Sequence, residues 1–179
     1  DAGGNFSGES YVVFGGNFTG GAETQVGNAL PNTLTAVNGA GRDVLIGGGG
    51  NDTLVSDGGP DVLIGGEGDD ILAISDIDFS STRRLMGGTG TNTLRLDGSG
   101  LTLNLTAIHD NRIQDIEVID ITGSGANTLT LNVQEVLNIS SHSNTLIVRR
   151  NGDDTVNIGS GWTQGTNEVI EGKAFHVFS

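Results

Sequence analysis

Between residues 38 and 73 the apolar positions recur with a period of nine. Cut into nines, the stretch reads NGAGRDVLI, GGGGNDTLV, SDGGPDVLI and GGEGDDILA, with no insertion. Leu45, Leu54, Leu63 and Leu72 hold the eighth place of each unit, and Asp43, Asp52, Asp61 and Asp70 hold the sixth. Side chains of a strand alternate between faces, so a triplet centred on each leucine is a short strand with one inward residue. The glycines before it can take φ > 0 and turn tightly. One leucine per unit buries too little alone, and the units must stack: the pattern predicts a parallel β-solenoid with two nonapeptides per turn. Asp43 then faces Asp61 along one edge, and Asp52 faces Asp70 along the other.

Stacked carboxylates repel unless a cation lies between the turns. The donors on offer are carboxylates and loop carbonyls, all hard oxygens. Ca²⁺ suits them best, because it accepts 6–8 oxygens in flexible geometry whereas Mg²⁺ demands a small octahedron. A Gly/Asp-rich linker, the alternative, has no reason to keep leucine in one phase through four units. At least two Ca²⁺ ions are expected.

The flanks are organised differently. Gly27–Thr35 (GNALPNTLT) is a degenerate unit with Asn32 in the aspartate's place, and it reads as an N-terminal capping turn. After Ala73 the period breaks at ISDIDFSSTRRLM. Asp76 and Asp78 there are either ligands of a third ion sharing Asp61 or solvated loop carboxylates. Arg83-Arg84 reads as a solvated basic pair, with neutralisation of the acidic edge as the alternative. The unit resumes at Gly87 with Asn92, a poorer ligand for a hard cation. From Leu94 short alternating runs take over, at Leu101–Leu105, Ile116–Thr122, Asn127–Asn132, Asn144–Val148 and Asp154–Ile158. They predict that the solenoid continues without strong metal sites, Asp153 or Asp154 binding weakly at most. Leu105–Gln114 and Val133–Asn138 are expected as helical connectors. Trp162 and two further strands form a C-terminal cap. The expected organisation is a flanking strand segment at 1–26, the calcium-binding roll at 27–95, and a metal-poor continuation with its cap at 96–179.

Composition sharpens this. The 31 glycines against 2 prolines exclude a helical bundle, and aromatics at 4% exclude a thick globular core. A formal net charge of −14 argues against nucleic acid and anionic membrane as partners and fits cation binding. With no cysteine, neither disulfides nor Cys-based metal sites are available, and a bacterial extracellular protein stapled by calcium instead is the expected reading. No apolar run is long enough to span a bilayer, and no signal peptide or initiator methionine opens the chain, which reads as a piece of a larger protein.

The nonapeptide run resembles the RTX (repeats-in-toxin) family of secreted bacterial proteins over about a fifth of the chain. The resemblance implies an all-β, right-handed parallel β-roll with calcium-binding loops, flanked by metal-free β capping segments. It also implies six ligands per ion: second- and fourth-place carbonyls of one loop, first- and third-place carbonyls of the loop one turn on, and both sixth-place aspartates. Carried over, one site uses Gly39, Gly41, Asp43, Ser56, Gly58 and Asp61, and the other Gly48, Gly50, Asp52, Gly65, Glu67 and Asp70. Asn38, Ser56 and Asp57 replace glycines, and Pro60 sits at the fifth place of its loop, so that edge departs from the pattern. Gly8–Gly16 (GESYVVFGG) resembles the closing strand of an FG-GAP repeat, the blade of integrin-α-like propellers; its alternative is a plain strand between glycine turns.

No catalytic set emerges. His109, His142 and His176 share no metal-ligand spacing, no G-x-S-x-G elbow occurs, and GGGGND lacks the lysine of a phosphate loop. The expectation is a non-enzymatic, calcium-dependent folding module of a large secreted or cell-surface bacterial protein, adhesin-like. Its partners would be calcium, other domains of the same protein, or a surface ligand. The alternative is the secretion and folding domain of a secreted hydrolase or toxin whose activity lies elsewhere.

Overall fold

A computed structural model describes residues 11–12, 21–37, 39, 41–79, 83–140, 143–170 and 172–179. In chain order the first strands are β1 (Tyr11–Val12), β2 (Thr24–Val26), β3 (Thr33–Thr35), β4 (Val44–Gly49), β5 (Thr53–Val55), β6 (Val62–Glu67), β7 (Ile71–Ile74), β8 (Arg84–Thr89) and β9 (Thr93–Leu96). There follow β10 (Thr102–Asn104), β11 (Ile113–Gln114), β12 (Val118–Asp120), β13 (Thr128–Thr130), helix α1 (Val133–Ile139), β14 (Ile147–Arg149), β15 (Thr155–Asn157), β16 (Glu168–Ile170) and β17 (Lys173–Phe175). The chain winds as a parallel β-solenoid. One sheet runs β1-β2-β4-β6-β8-β11, a second β14-β12-β9-β7-β5-β3, and a third β10-β13-β15. Only β1 with β2 and β16 with β17 pair antiparallel among the described strands.

The register puts like on like. Leu45 pairs with Leu63, Leu63 with Leu85, and Leu85 with Ile113 in the first sheet. Leu34, Leu54, Leu72, Leu94 and Ile119 form the second column. Every residue of both columns is at most 4% exposed. A one-residue slip would turn each column out to solvent, so the leucine phase fixes the stacking.

The coil widens as it proceeds. Stacked sixth-place residues are 18 apart from Asp52 to Asp70, 22 from Asp70 to Asn92 and 25 from Asn92 to Glu117. The added length carries the third sheet, whose Leu103 and Leu129 join the same core. β8 pairs with β11 and β9 with β12, so the strands that follow the repeats stack directly on them. The expected connector at 133–138 is a capped helix: the Asn132 side chain accepts from the Glu135 N–H at 3.0 Å. Its Ile139 carbonyl accepts from the Ile116 N–H, and Val136 and Ile139 close the core beside β11. The Leu105–Gln114 connector opens with one 3₁₀ turn, Leu105–Ala107. β16 and β17 form a terminal hairpin, and partly buried Trp162 packs against the core while donating to the Ile158 carbonyl at 2.6 Å. Apart from the backbone of Tyr11 and Val12, the Gly8–Gly16 stretch lies outside the described residues.

Leu63 is fully buried between two stacked neighbours. Leu63→Ala is expected to destabilise the calcium-saturated chain by about 3 kcal/mol in urea titration, the usual cost of such a core cavity.

Candidate metal centre

The sixth-place residues form ladders. Along one edge the backbone N–H of each donates to the side-chain oxygen of its counterpart one turn on. Asn32 N–H donates to Asp52 Oδ1 (2.8 Å), Asp52 N–H to Asp70 Oδ1 (2.8 Å), Asp70 N–H to Asn92 Oδ1 (3.0 Å), and Asn92 N–H to Glu117 Oε2 (2.8 Å). These side chains are all buried. One oxygen of each aspartate is thereby fixed by the fold, and the direction of the other is fixed with it.

That other oxygen separates the rungs. A Cβ placed on Gly47 would collide with Asp52 Oδ2 and lie 2.6 Å from the Gly65 carbonyl oxygen. One turn on, a Cβ on Gly65 would collide with Asp70 Oδ2 and lie 2.5 Å from the Gly87 carbonyl oxygen. Asp52 Oδ2 and Asp70 Oδ2 are buried with no hydrogen-bond partner. At each of these rungs a carboxylate oxygen and a carbonyl oxygen thus converge on space that only glycine leaves open, with no donor from the protein between them. Buried oxygens so arranged are relieved by a cation or by a proton. At the next rung the atom in that place is Asn92 Nδ2, which donates to the Asp115 carbonyl at 3.1 Å and needs neither. The second- and fourth-place carbonyls of Gly48 and Gly50 point along the stack onto Gly66 and Gly68, both at positive φ, where a Cβ would strike them. Of the second predicted ligand set, Asp52 Oδ2 and the carbonyls of Gly48, Gly50 and Gly65 face one gap between two turns, whereas Asp70 reaches that gap only with Oδ1, held by the Asp52 N–H, and its open Oδ2 faces Gly87 one turn on. Glu67 pairs in register with Gly49 across the same gap.

The opposite edge is built differently. Glu23 N–H donates to Asp43 Oδ1 (2.7 Å) and Val37 N–H to Asp43 Oδ2 (2.8 Å). Asp43 N–H donates to Asp61 Oδ1 (2.9 Å) and the Ser56 hydroxyl to Asp61 Oδ2 (2.6 Å). Both oxygens of both aspartates therefore have protein donors, and Ser56, at the place Gly47 and Gly65 hold on the other edge, fills the gap with its hydroxyl. The loop before Asp61 has positive φ at its third and fourth places, Gly58 and Gly59, whereas the loops ending at Asp52 and Asp70 have it at the second and fourth. Of the first predicted set, Gly39 and Gly58 still approach each other: a Cβ on Gly58 would lie 3.0 Å from the Gly39 carbonyl oxygen. Gly41 lies beside Asp43, its Cβ position 3.6 Å from Asp43 Oδ1.

The expected basic pair splits. Arg84 starts β8 on the exposed side, but Arg83 is 1% exposed and bound to Asp76, so it is no solvated residue. Sequence reasoning also missed Glu117, which lies in the Asp52 column with Oε1 buried and unpartnered. Its signal is positional: each ladder residue immediately precedes a strand, and Glu117 precedes β12 as Asp70 precedes β7. Asp154 precedes β15 and is 4% exposed; its carboxylate accepts from Asn127 N–H (2.9 Å) and Asn151 N–H (2.6 Å), extending the ladder along the third sheet.

Burial pushes the Asp70 carboxyl up to about 6, the Asp52 N–H pulling back and the Asp52 and Asp69 charges adding to the rise. Burial raises Asp52 too, against the Asn32 N–H. Burial likewise raises Asp61, with the Ser56 hydroxyl foremost among the groups that pull it down. Among the described residues no three His, Cys, Asp or Glu side chains converge as a metal cluster. The donor set is two carboxylates with main-chain carbonyls, the all-oxygen chemistry that fits Ca²⁺.

Because Asp70 holds its proton more tightly folded than unfolded, its contribution in chelator is full at low pH and is lost as pH rises from about 4 to about 6. The stability advantage of wild type over Asp70→Asn in chelator should shrink across that window in pH-resolved urea titrations. Calcium competes with the same proton, so its measured affinity should weaken as pH falls below about 6.

Residues 37–72 match the RTX calcium-binding nonapeptide repeat, in four copies. No curated protein and no solved structure shows significant similarity to the chain. The ladder, its open carboxylate oxygens and this match agree on one statement: residues 37–72 are four consecutive RTX calcium-binding nonapeptide repeats, wound into a parallel β-solenoid.

Proposed function

We propose that this chain is a calcium-dependent folding module of a large secreted or cell-surface protein, adhesive in role and structural rather than catalytic. The observation that carries the reading is the pair of buried, partnerless oxygens, Asp52 Oδ2 and Asp70 Oδ2, each converging with a carbonyl oxygen of the next turn. Without a cation these rungs disfavour the closed turn, and with one they hold it together. Gly48, Gly50, Asp52, Gly65, Glu67 and Asp70 would supply the tighter site. Gly39, Gly41, Asp43, Ser56, Gly58 and Asp61 would supply a weaker one, because protein donors already satisfy its carboxylates. Two ions per chain follow as the minimum.

Sites of this kind in extracellular modules work at about 10⁻⁴–10⁻³ M calcium. They would be filled outside a cell and empty in a calcium-poor cytoplasm, and each ion stabilises the folded chain by mass action. Among the described residues no helix is long and apolar enough to cross a membrane. The FG-GAP resemblance at residues 8–16 supports an adhesive parent protein, whose other domains or surface ligand would be the partners.

The test is a calcium titration followed by far-UV circular dichroism and bound-ion count, with Mg²⁺ as competitor. β signal should rise cooperatively with Ca²⁺ and not with Mg²⁺. Asp52→Asn/Asp70→Asn should remove the tighter ion and move the folding midpoint to at least tenfold higher calcium, whereas Asp43→Asn/Asp61→Asn should keep that ion. A chain equally folded in chelator with no ion bound would overturn the reading.

A further inference from the structure

Arg83 occupies the sixth place of its turn. Arg84 pairs with Val62 and Val62 with Val44, so the residue before each, Arg83, Asp61 and Asp43, forms one column. The Arg84 N–H donates to the Asp61 carbonyl at 3.1 Å, as the Val62 N–H does to the Asp43 carbonyl at 2.8 Å. A guanidinium, with no acceptor to offer, therefore stands where the repeat places a carboxylate.

Its surroundings are those of a cation site. Arg83 Nη1 donates to Asp76 Oδ1 (2.5 Å) and to the Asp76 carbonyl (3.0 Å), and Nη2 donates to Asp76 Oδ2 (3.0 Å) and to the Gly59 carbonyl. All four acceptors are oxygens, and Gly59 holds the fourth place of its loop, a position whose carbonyl the RTX resemblance makes an ion ligand. The Phe79 ring covers the guanidinium, its centroid 5.6 Å from Cζ, and Nε is buried without a partner. The loop that delivers Asp76 follows β7, where the turn lengthens from 18 to 22 residues. Burial opposes ionisation of Asp76, but the Arg83 hydrogen bonds foremost, with the Asp78 N–H and the Arg83 charge, outweigh it and hold the carboxyl below its ordinary value. A carboxylate and two carbonyls around a fully buried cation reproduce the donor chemistry of the calcium rungs.

We infer that Arg83 is a resident cation: its guanidinium fills a cation position between the turns of β6 and β8, closes the step of that edge beyond Asp61 without metal, and leaves a latent calcium site when removed. The inference deepens the calcium reading and rests on it for the identity of the ion. A lysine or arginine that merely pairs on a surface would give none of this, since exposed pairs contribute little.

The experiment counts bound Ca²⁺ by equilibrium dialysis and follows folding by circular dichroism, on the whole chain, in wild type, Arg83→Ala and Arg83→Ala/Asp76→Ala. Arg83→Ala should bind one more ion than wild type, unfold more readily in chelator, and recover in saturating calcium. The double variant should return to the wild-type count, because the carboxylate of the new site is gone. An Arg83→Ala count equal to wild type, or a variant unfolded in both buffers, would overturn the inference, since the ion then does not replace the guanidinium. A wild-type count of zero would instead sink the calcium reading, and the two failures are distinct.

Discussion

The structure depends on a single repeated contact, the hydrogen bond from the backbone N–H of one sixth-place residue to the side-chain oxygen of the next. It occurs from Asn32 to Glu117 on one edge, from Glu23 to Asp61 on the other, and from Leu101 to Asp154 along the third sheet. The contact uses one oxygen of a two-oxygen group and buries the second. What each turn does with that second atom decides whether it needs a metal. Asp52 and Asp70 leave an oxygen against an oxygen. Asn92 turns the same atom into a donor, Ser56 supplies a hydroxyl to it, and Arg83 replaces the whole group with a positive charge. Four chemistries answer one electrostatic problem within a few turns.

The two edges of the roll are consequently unequal although their sequences differ at few positions. Glycine at the first place, Gly47 or Gly65, leaves room for an ion; Ser56 fills it. Desolvation of a carboxylate is the shared burden, and the edges meet it differently: Asp52 and Asp70 each leave one oxygen open, where a cation would offset it, and protein donors take both oxygens of Asp43 and Asp61.

Much of this was legible in the sequence because the nonapeptide encodes it twice, through the leucine phase and the aspartate phase. The parallel solenoid, the facing pairs Asp43/Asp61 and Asp52/Asp70, and the continuation through Asn127 could be read from spacing alone. What escaped was set by contacts between distant turns. Nothing local to Arg83 distinguishes it from Arg84, since one is buried and the other exposed only because a lengthened turn brings Asp76 back over the column. Glu117 escaped because its turn is 25 residues long and belongs to no nine-residue period. The residue directly before each strand is the better guide here, because the ladder follows strand starts and not the repeat count.

The direct stacking of β11 and β12 on β8 and β9 has a thermodynamic sense of its own. A solenoid is nearly one-dimensional: each turn gains from its neighbour, and the first turn, having none, is the costly one to form. Here the nonapeptide turns adjoin turns whose rungs at Asn92 and Asn127 are closed by asparagine amides and whose core is sealed by α1. They add to an end that already exists and need not nucleate one. If the repeats close on binding calcium as proposed, the concentration at which they do so would be a property of the boundary as much as of the sites, with the strands beyond β9 as the seed on which the repeats grow.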